Sequence, residues 1–93
     1  MSRLLDTDEI TRQLQDLPDW KLDGDEIAAD FTFADFGEAM VFVNRVAALA
    51  EDANHHPDID IRWNKVRLVL TSHDSGGLTQ RDIEMAHRIS SGE

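Results

Sequence analysis

The sequence predicts an α+β fold: a four-stranded antiparallel sheet with helices on one face, in the order α-β-β-α-β-β-α. Three observations predict it. Two segments alternate apolar and polar residues and then reverse at a turn, as hairpins do. A long run with apolar residues at helical spacing lies between them. A capped helical pattern stands at each end of the chain.

Asp6 or Thr7 can cap the first helix, and Asp6-x-x-Glu9 has the spacing of a capping box. Ile10, Leu14 and Leu17 form its apolar stripe, and Pro18 stops it. Trp20 and Leu22 then alternate with polar residues up to a tight turn at Asp23-Gly24. The return strand carries Ile27, Ala29, Phe31 and Phe33 on one face. Such alternation means one buried face and one wet face.

The long helix runs roughly from Ala34 to Asn54. Phe36, Met40, Val43, Ala47 and Ala50 make one stripe, and Ala39, Phe42, Val46, Leu49 and Ala53 make a second beside it. Two stripes exceed what one sheet face covers, so the second is expected to pair with another copy of the chain.

Pro57 forces the chain out of the helix. Ile59, Ile61 and Trp63 alternate with polar residues, as do Val66, Leu68 and Leu70, with Asn64-Lys65 as the turn between them. Matching apolar faces pairs Trp63 with Val66, Ile61 with Leu68 and Ile59 with Leu70. After Gly76-Gly77 the last helix begins, with Thr79 as N-cap, Asp82 as the acid of a capping box, and Leu78 and Ile83 at staple spacing. Met85, Ala86 and Ile89 continue its apolar side.

The chain of 93 residues is the length of one domain, and residues 1–93 are read as one unit. It has no Cys, which excludes disulfides, thiol catalysis and Cys-ligated metal and fits a cytoplasmic protein. Nine basic residues against nineteen acidic ones give a formal net charge of −10. Such a surface is repelled by phosphate backbones and anionic lipid, so nucleic acid and membrane are not expected as partners. The opening residues Met1 to Glu9 lack the apolar core of a signal peptide.

The chemistry concentrates late in the chain. His55, His56 and His73 flank the second hairpin, and extending the register above brings His73 opposite His56. Three imidazoles then converge beside the C-terminus of the long helix. Glu51 is four residues before His55, where a helix puts its carboxylate beside the ring and lets it fix the tautomer. Such a site can give and take protons near neutral pH. A metal site fits less well, because adjacent histidines diverge and the spacing matches no common zinc pattern. Ser72 and Ser75 flank His73 without the strand–turn–helix elbow of a nucleophile. His87 reads as a solvated residue, and Asp82 as a cap that orients the loop carrying His73.

Glu51-x3-His55-His56-Pro57, followed at fixed spacing by Trp63, His73 and Asp82, resembles the signature of the pterin-4a-carbinolamine dehydratases. The resemblance extends upstream through Trp20, Phe31-Thr32-Phe33, Asp35-Phe36 and Asn44-Arg45-Val46, and covers roughly Leu14 to Ile89. It implies the fold predicted above. It also implies dehydration of a 4a-hydroxytetrahydropterin to the quinonoid dihydropterin, without metal or organic cofactor. That reaction recycles the tetrahydrobiopterin-type cofactor of aromatic amino-acid hydroxylases. By the resemblance, the active-site histidines are His55, His56 and His73. His55 and His73 form the acid–base pair, His56 chiefly binds the pterin, and Glu51 orients His55. Trp20 and Trp63 either stack near the pterin or serve the core, while Asp82 and Pro57 support the site.

Two departures stand out: Asn54 replaces an Asp before the histidine pair, and Ile59 replaces a frequent aromatic. Neither removes a proton-transfer group. Some family relatives serve as binding proteins: an animal member is also a dimerisation cofactor for a homeodomain transcription factor, and a plant and bacterial branch assists Rubisco assembly. The assembly branch tends to lose the histidines, all three of which are present here, so the enzyme is the preferred reading. A homo-oligomer, dimer or tetramer, is the expected assembly.

Overall fold

The computed structural model describes residues 3–92; Met1 and Ser2, the first residues of the segment read for a signal peptide, lie outside them. The elements are α1 (Thr7–Leu14), β1 (Trp20–Asp23), β2 (Glu26–Thr32), α2 (Phe36–Ala53), β3 (Asp58–Arg62), β4 (Lys65–Leu70) and α3 (Gln80–Ser91), in the expected order. The strands form one antiparallel sheet in the order β1-β2-β4-β3. The two hairpins thus meet along β2 and β4, and β1 and β3 are the edges. No helix among the described residues is long and apolar enough to cross a membrane.

Local signals set the helix ends. The Asp6 carboxylate accepts from the Glu9 N–H at 2.8 Å and Glu9 Oε1 accepts from the Asp6 N–H at 3.1 Å, closing the expected capping box. Helix α1 stops at Leu14, earlier than its apolar stripe suggested. Leu17 precedes a proline, where the helical conformation is disfavoured, yet it is still fully buried. At the first hairpin Asp23 pairs with Glu26, so the turn residues are Gly24-Asp25, one position later than expected. Gly24 has φ 65°, a conformation open to glycine at little cost.

Helix α2 corrects the reading of its two stripes. Ala39, Phe42, Val46 and Leu49 of the second stripe are buried in the chain's own core, together with Val43 and Ala50 of the first. The open surface instead carries Phe36, Val41, Ala47 and Ala48, with Met40 half-buried beside them. Sheet and α3 together cover a wider arc of α2 than a sheet alone would.

The second hairpin is also shifted. Ile61 pairs with Val66 and Ile59 with Leu68, two residues from the expected register, and the turn residues are Trp63-Asn64. A shift of two keeps every side chain on its face, so alternation could not detect it. Trp63 stands exposed on that turn with φ 52°, while Asn64 Nδ2 donates to the Phe33 carbonyl at 2.9 Å and fixes the turn against β2.

Candidate active site

The site lies where the end of α2, the loop after β4 and the first turn of α3 meet. Helix α2 ends at Asn54, which has φ 50°, and the His55 N–H reaches back to the Ala50 carbonyl at 3.1 Å. This is a left-handed C-terminal closure, and Asn tolerates it better than most side chains. The reversal breaks the helical phase just before the histidine pair. His55 turns inward toward α3 and His56 turns back over α2.

The consequence reverses one expected contact. Glu51 does not hold His55; its Oε2 lies 2.5 Å from His56 Nε2, an exposed pair. His55 is held instead by Asp82, whose Oδ1 lies 2.5 Å from His55 Nε2. His55 is 8% exposed and Asp82 is 0% exposed, so this contact is shielded from water. Asp82 therefore does more than cap.

The Asp82 carboxylate is surrounded by donors. Its Oδ2 accepts from the Thr79 N–H at 2.9 Å and from the Ser72 hydroxyl at 2.8 Å. Ser72 Oγ in turn lies 2.9 Å from Thr79 Oγ1. With the carboxylate as acceptor, His55 Nε2 is the donor, and Nδ1 is the ring nitrogen that Asp82 does not engage. Among the described residues, no buried side-chain nitrogen or oxygen lacks a partner. A satisfied network of this kind is rigid.

His73 is exposed at the start of a tight loop. Ser72 and Gly77 bridge across that loop, and the Ser72 carbonyl accepts from the N–H groups of Ser75, Gly76 and Gly77. Gly76 has φ 81°, which makes the sharp return possible. Arg81 ties the two histidine segments together: Nη2 donates to the Asn54 carbonyl at 3.1 Å, and Nη1 lies 3.8 Å from Asp74 Oδ2.

His55, His56 and His73 line one open cleft of about 350 Å³, with Asn54, Ser72 and Arg81 in its walls. Pterin-sized ligands fit sites of this order. The convergence arises through the α2 closure and the Ser72 loop, not through the register first expected. The two tryptophans are not in this cleft. Trp20 is buried in the core, edge-on to Phe31, with its indole N–H donated to Ser90 Oγ at 3.0 Å. Trp63 is at the far end of the second hairpin, on the order of 17 Å away by strand rise. Pro57 is half-buried between His56 and β3, and His87 is exposed on α3.

Sequence reasoning missed Ser72 and Arg81 as parts of the site. The capping box marked Thr79 and Asp82, but nothing local says that a cap carboxylate also faces His55. Among the described residues, no group of three or more His, Asp or Glu side chains is arranged to hold a metal ion.

The family model described as pterin 4 alpha carbinolamine dehydratase matches residues 3–91. A relative from Thermomicrobium roseum, bearing the provisional name pterin-4-alpha-carbinolamine dehydratase, is 52% identical over 91% of each chain. One from Chloroflexus aurantiacus with the same provisional name is 56% identical over 87% of each chain. The crystal structure of a transcriptional coactivator/pterin dehydratase from Brucella melitensis superposes with a TM-score of 0.91 at 33% identity, over 96% of this chain and 97% of that one. A pterin dehydratase-like protein identified as a RuBisCO assembly factor in the alpha-carboxysome shares the fold alone. Its TM-score is 0.63 at 20% identity, over 77% of this chain and 83% of that one. By the family match and these identities, this chain belongs to the pterin 4 alpha carbinolamine dehydratase family.

Proposed function

We propose that the chain dehydrates a 4a-hydroxytetrahydropterin to the quinonoid dihydropterin by histidine acid–base catalysis. The observation that carries this reading is the meeting of three histidines on one cleft, one of them locked by a buried carboxylate. The 4a-hydroxyl leaves as water once an acid gives it a proton, and a base takes the proton from the ring nitrogen. His55 and His73 are the pair for these two transfers. With Nε2 committed to Asp82, His55 exchanges its proton through Nδ1. His56 is more exposed and steadied by Glu51, which suits a pterin-binding role.

The substrate of such a reaction is the hydroxylated pterin left by aromatic amino-acid hydroxylases, and the product returns to the tetrahydro form by reduction. The cysteine-free composition suits a cytoplasmic enzyme. The assembly we propose is a homo-oligomer, dimer or tetramer, packed through the outer face of α2 rather than the stripe buried in the core. Phe36, Met40, Val41, Ala47 and Ala48 give that face an apolar, small-residue surface suited to close helix packing.

The test is an absorbance assay with chemically generated 4a-hydroxytetrahydropterin. The expected result is dehydration faster than the spontaneous rate, unchanged by prior dialysis against a chelator. A chain that binds the pterin without accelerating its dehydration would instead be a non-catalytic binding or assembly protein. Loss of turnover on dialysis, restored by zinc or iron, would point to metal chemistry.

A further inference from the structure

Ser72 is 1% exposed and sits between the two histidines assigned to proton transfer. Its hydroxyl donates to Asp82 Oδ2 at 2.8 Å, while the other oxygen of that carboxylate meets His55. Its backbone is the foot of the His73 loop: the Ser72 N–H donates to the Gly77 carbonyl at 2.9 Å, and its carbonyl receives three N–H groups from Ser75, Gly76 and Gly77. Thr79 Oγ1 lies 2.9 Å from Ser72 Oγ and also accepts from the Arg81 N–H at 3.3 Å. Ser72 Oγ donates to the carboxylate, so Thr79 Oγ1 is the donor to Ser72. The hydroxyl hydrogens therefore run in one direction, from Thr79 to Ser72 to Asp82.

We infer that Ser72 is a positioning residue that couples His55 to His73. Its hydroxyl, together with the Thr79 N–H on the same oxygen, keeps the Asp82 carboxylate from turning about its Cβ–Cγ bond and so aims Oδ1 at the His55 ring. The same residue, through its backbone, sets the loop that presents His73 to the cleft. Ser72 lies in the wall of the cleft but is only 1% exposed, and it acts on the geometry of the two histidines. The inference rests on the proposed dehydratase reading for its kinetic consequence, and on the buried network alone for its structural one.

The experiment compares Ser72→Ala and Ser72→Thr with the wild type. NMR of the His55 Nε2–H proton reports, through its solvent exchange, how firmly Asp82 holds the ring, and the pterin assay reports kcat and KM. Removing the hydroxyl is expected to give a folded protein whose His55 keeps its Nε2–H on Asp82 but exchanges that hydrogen with solvent faster. Its kcat should fall about tenfold, the kinetic equivalent of one hydrogen bond to a charged group, with KM changed less than about twofold. Ser72→Thr keeps the hydroxyl and should restore the slow Nε2–H exchange and most of kcat. A Ser72→Ala protein with wild-type Nε2–H exchange and unchanged kcat overturns the inference, as does a lost kcat with that exchange unchanged. If Ser72→Ala does not fold, Ser72→Cys keeps the atom count with a weaker donor, and the same two readouts decide. Should the wild type fail to dehydrate the pterin at all, the dehydratase reading falls, while the NMR comparison still decides whether Ser72 holds His55.

Discussion

Asp82 and His55, 27 positions apart in sequence, meet at 2.5 Å in the interior, and the same carboxylate caps α3. One side chain thus starts a helix and sets the hydrogen of a candidate proton-transfer group. Capping carboxylates are usually exposed; burial of this one makes its three donors matter.

Replacing Asp82 with Asn tests that double role. An amide can offer N–H₂ to Nε2 and so favour the wrong tautomer, which elsewhere costs catalysis heavily without loss of geometry. We expect kcat to fall by at least about 10²-fold, and the fold to lose about 1–3 kcal/mol from the weakened buried bonds. Urea denaturation and the pterin assay on one preparation measure both. A variant with near-normal kcat would remove Asp82 from the site.

The two histidines proposed for proton transfer should differ in what else they do. His55→Ala and His73→Ala should each lower dehydration by roughly 10²-fold, the usual scale for an acid–base group. His73 is exposed, so its loss should move stability by no more than about 0.5 kcal/mol. His55→Ala leaves the Asp82 carboxylate short of a buried partner and should lower the melting temperature by several degrees. Equal melting temperatures for the two variants would contradict the buried pairing.

Two charge insertions on α2 separate its buried face from its open one. Val46 is 0% exposed, so Val46→Glu buries a lone carboxylate at a cost of about 3–5 kcal/mol, a large share of a small domain's stability. It should express poorly or unfold at low urea. Val41 is 72% exposed, and Val41→Glu should stay folded but sediment as a smaller species than the wild type. A wild-type protein that is monomeric at micromolar concentration would end the proposal of a homo-oligomer.

Acid stability should carry the mark of Glu9. Arg3 grips its carboxylate with two hydrogen bonds, at 3.0 and 2.7 Å, and the Asp6 N–H adds a third. These hold the Glu9 carboxyl down to about 2, against an ordinary 4.5. Because the folded value is the lower one, the contribution is complete above pH 4.5 and fades as pH falls toward 2. Denaturation midpoints of wild type and Glu9→Gln should therefore differ by a constant amount near neutrality and converge in acid. A gap that widened in acid would have the wrong sign.

What the sequence determined by itself was local. Capping boxes at Asp6 and Thr79, the glycine turns and the alternation of both hairpins all depend on residues within a few positions of each other. Such spacings survive whatever the rest of the chain does. Tertiary structure decided three further matters. The register of the second hairpin shifted by two, a change invisible to a period of two. The left-handed turn at Asn54 broke the helical phase, so Glu51 met His56 and left His55 to Asp82. The packing of α3 beside the sheet chose which stripe of α2 is core, and the same packing put Trp20 inside and left Trp63 at the distal turn. Each depends on where distant elements come to rest against one another, which residue spacing along the chain does not encode.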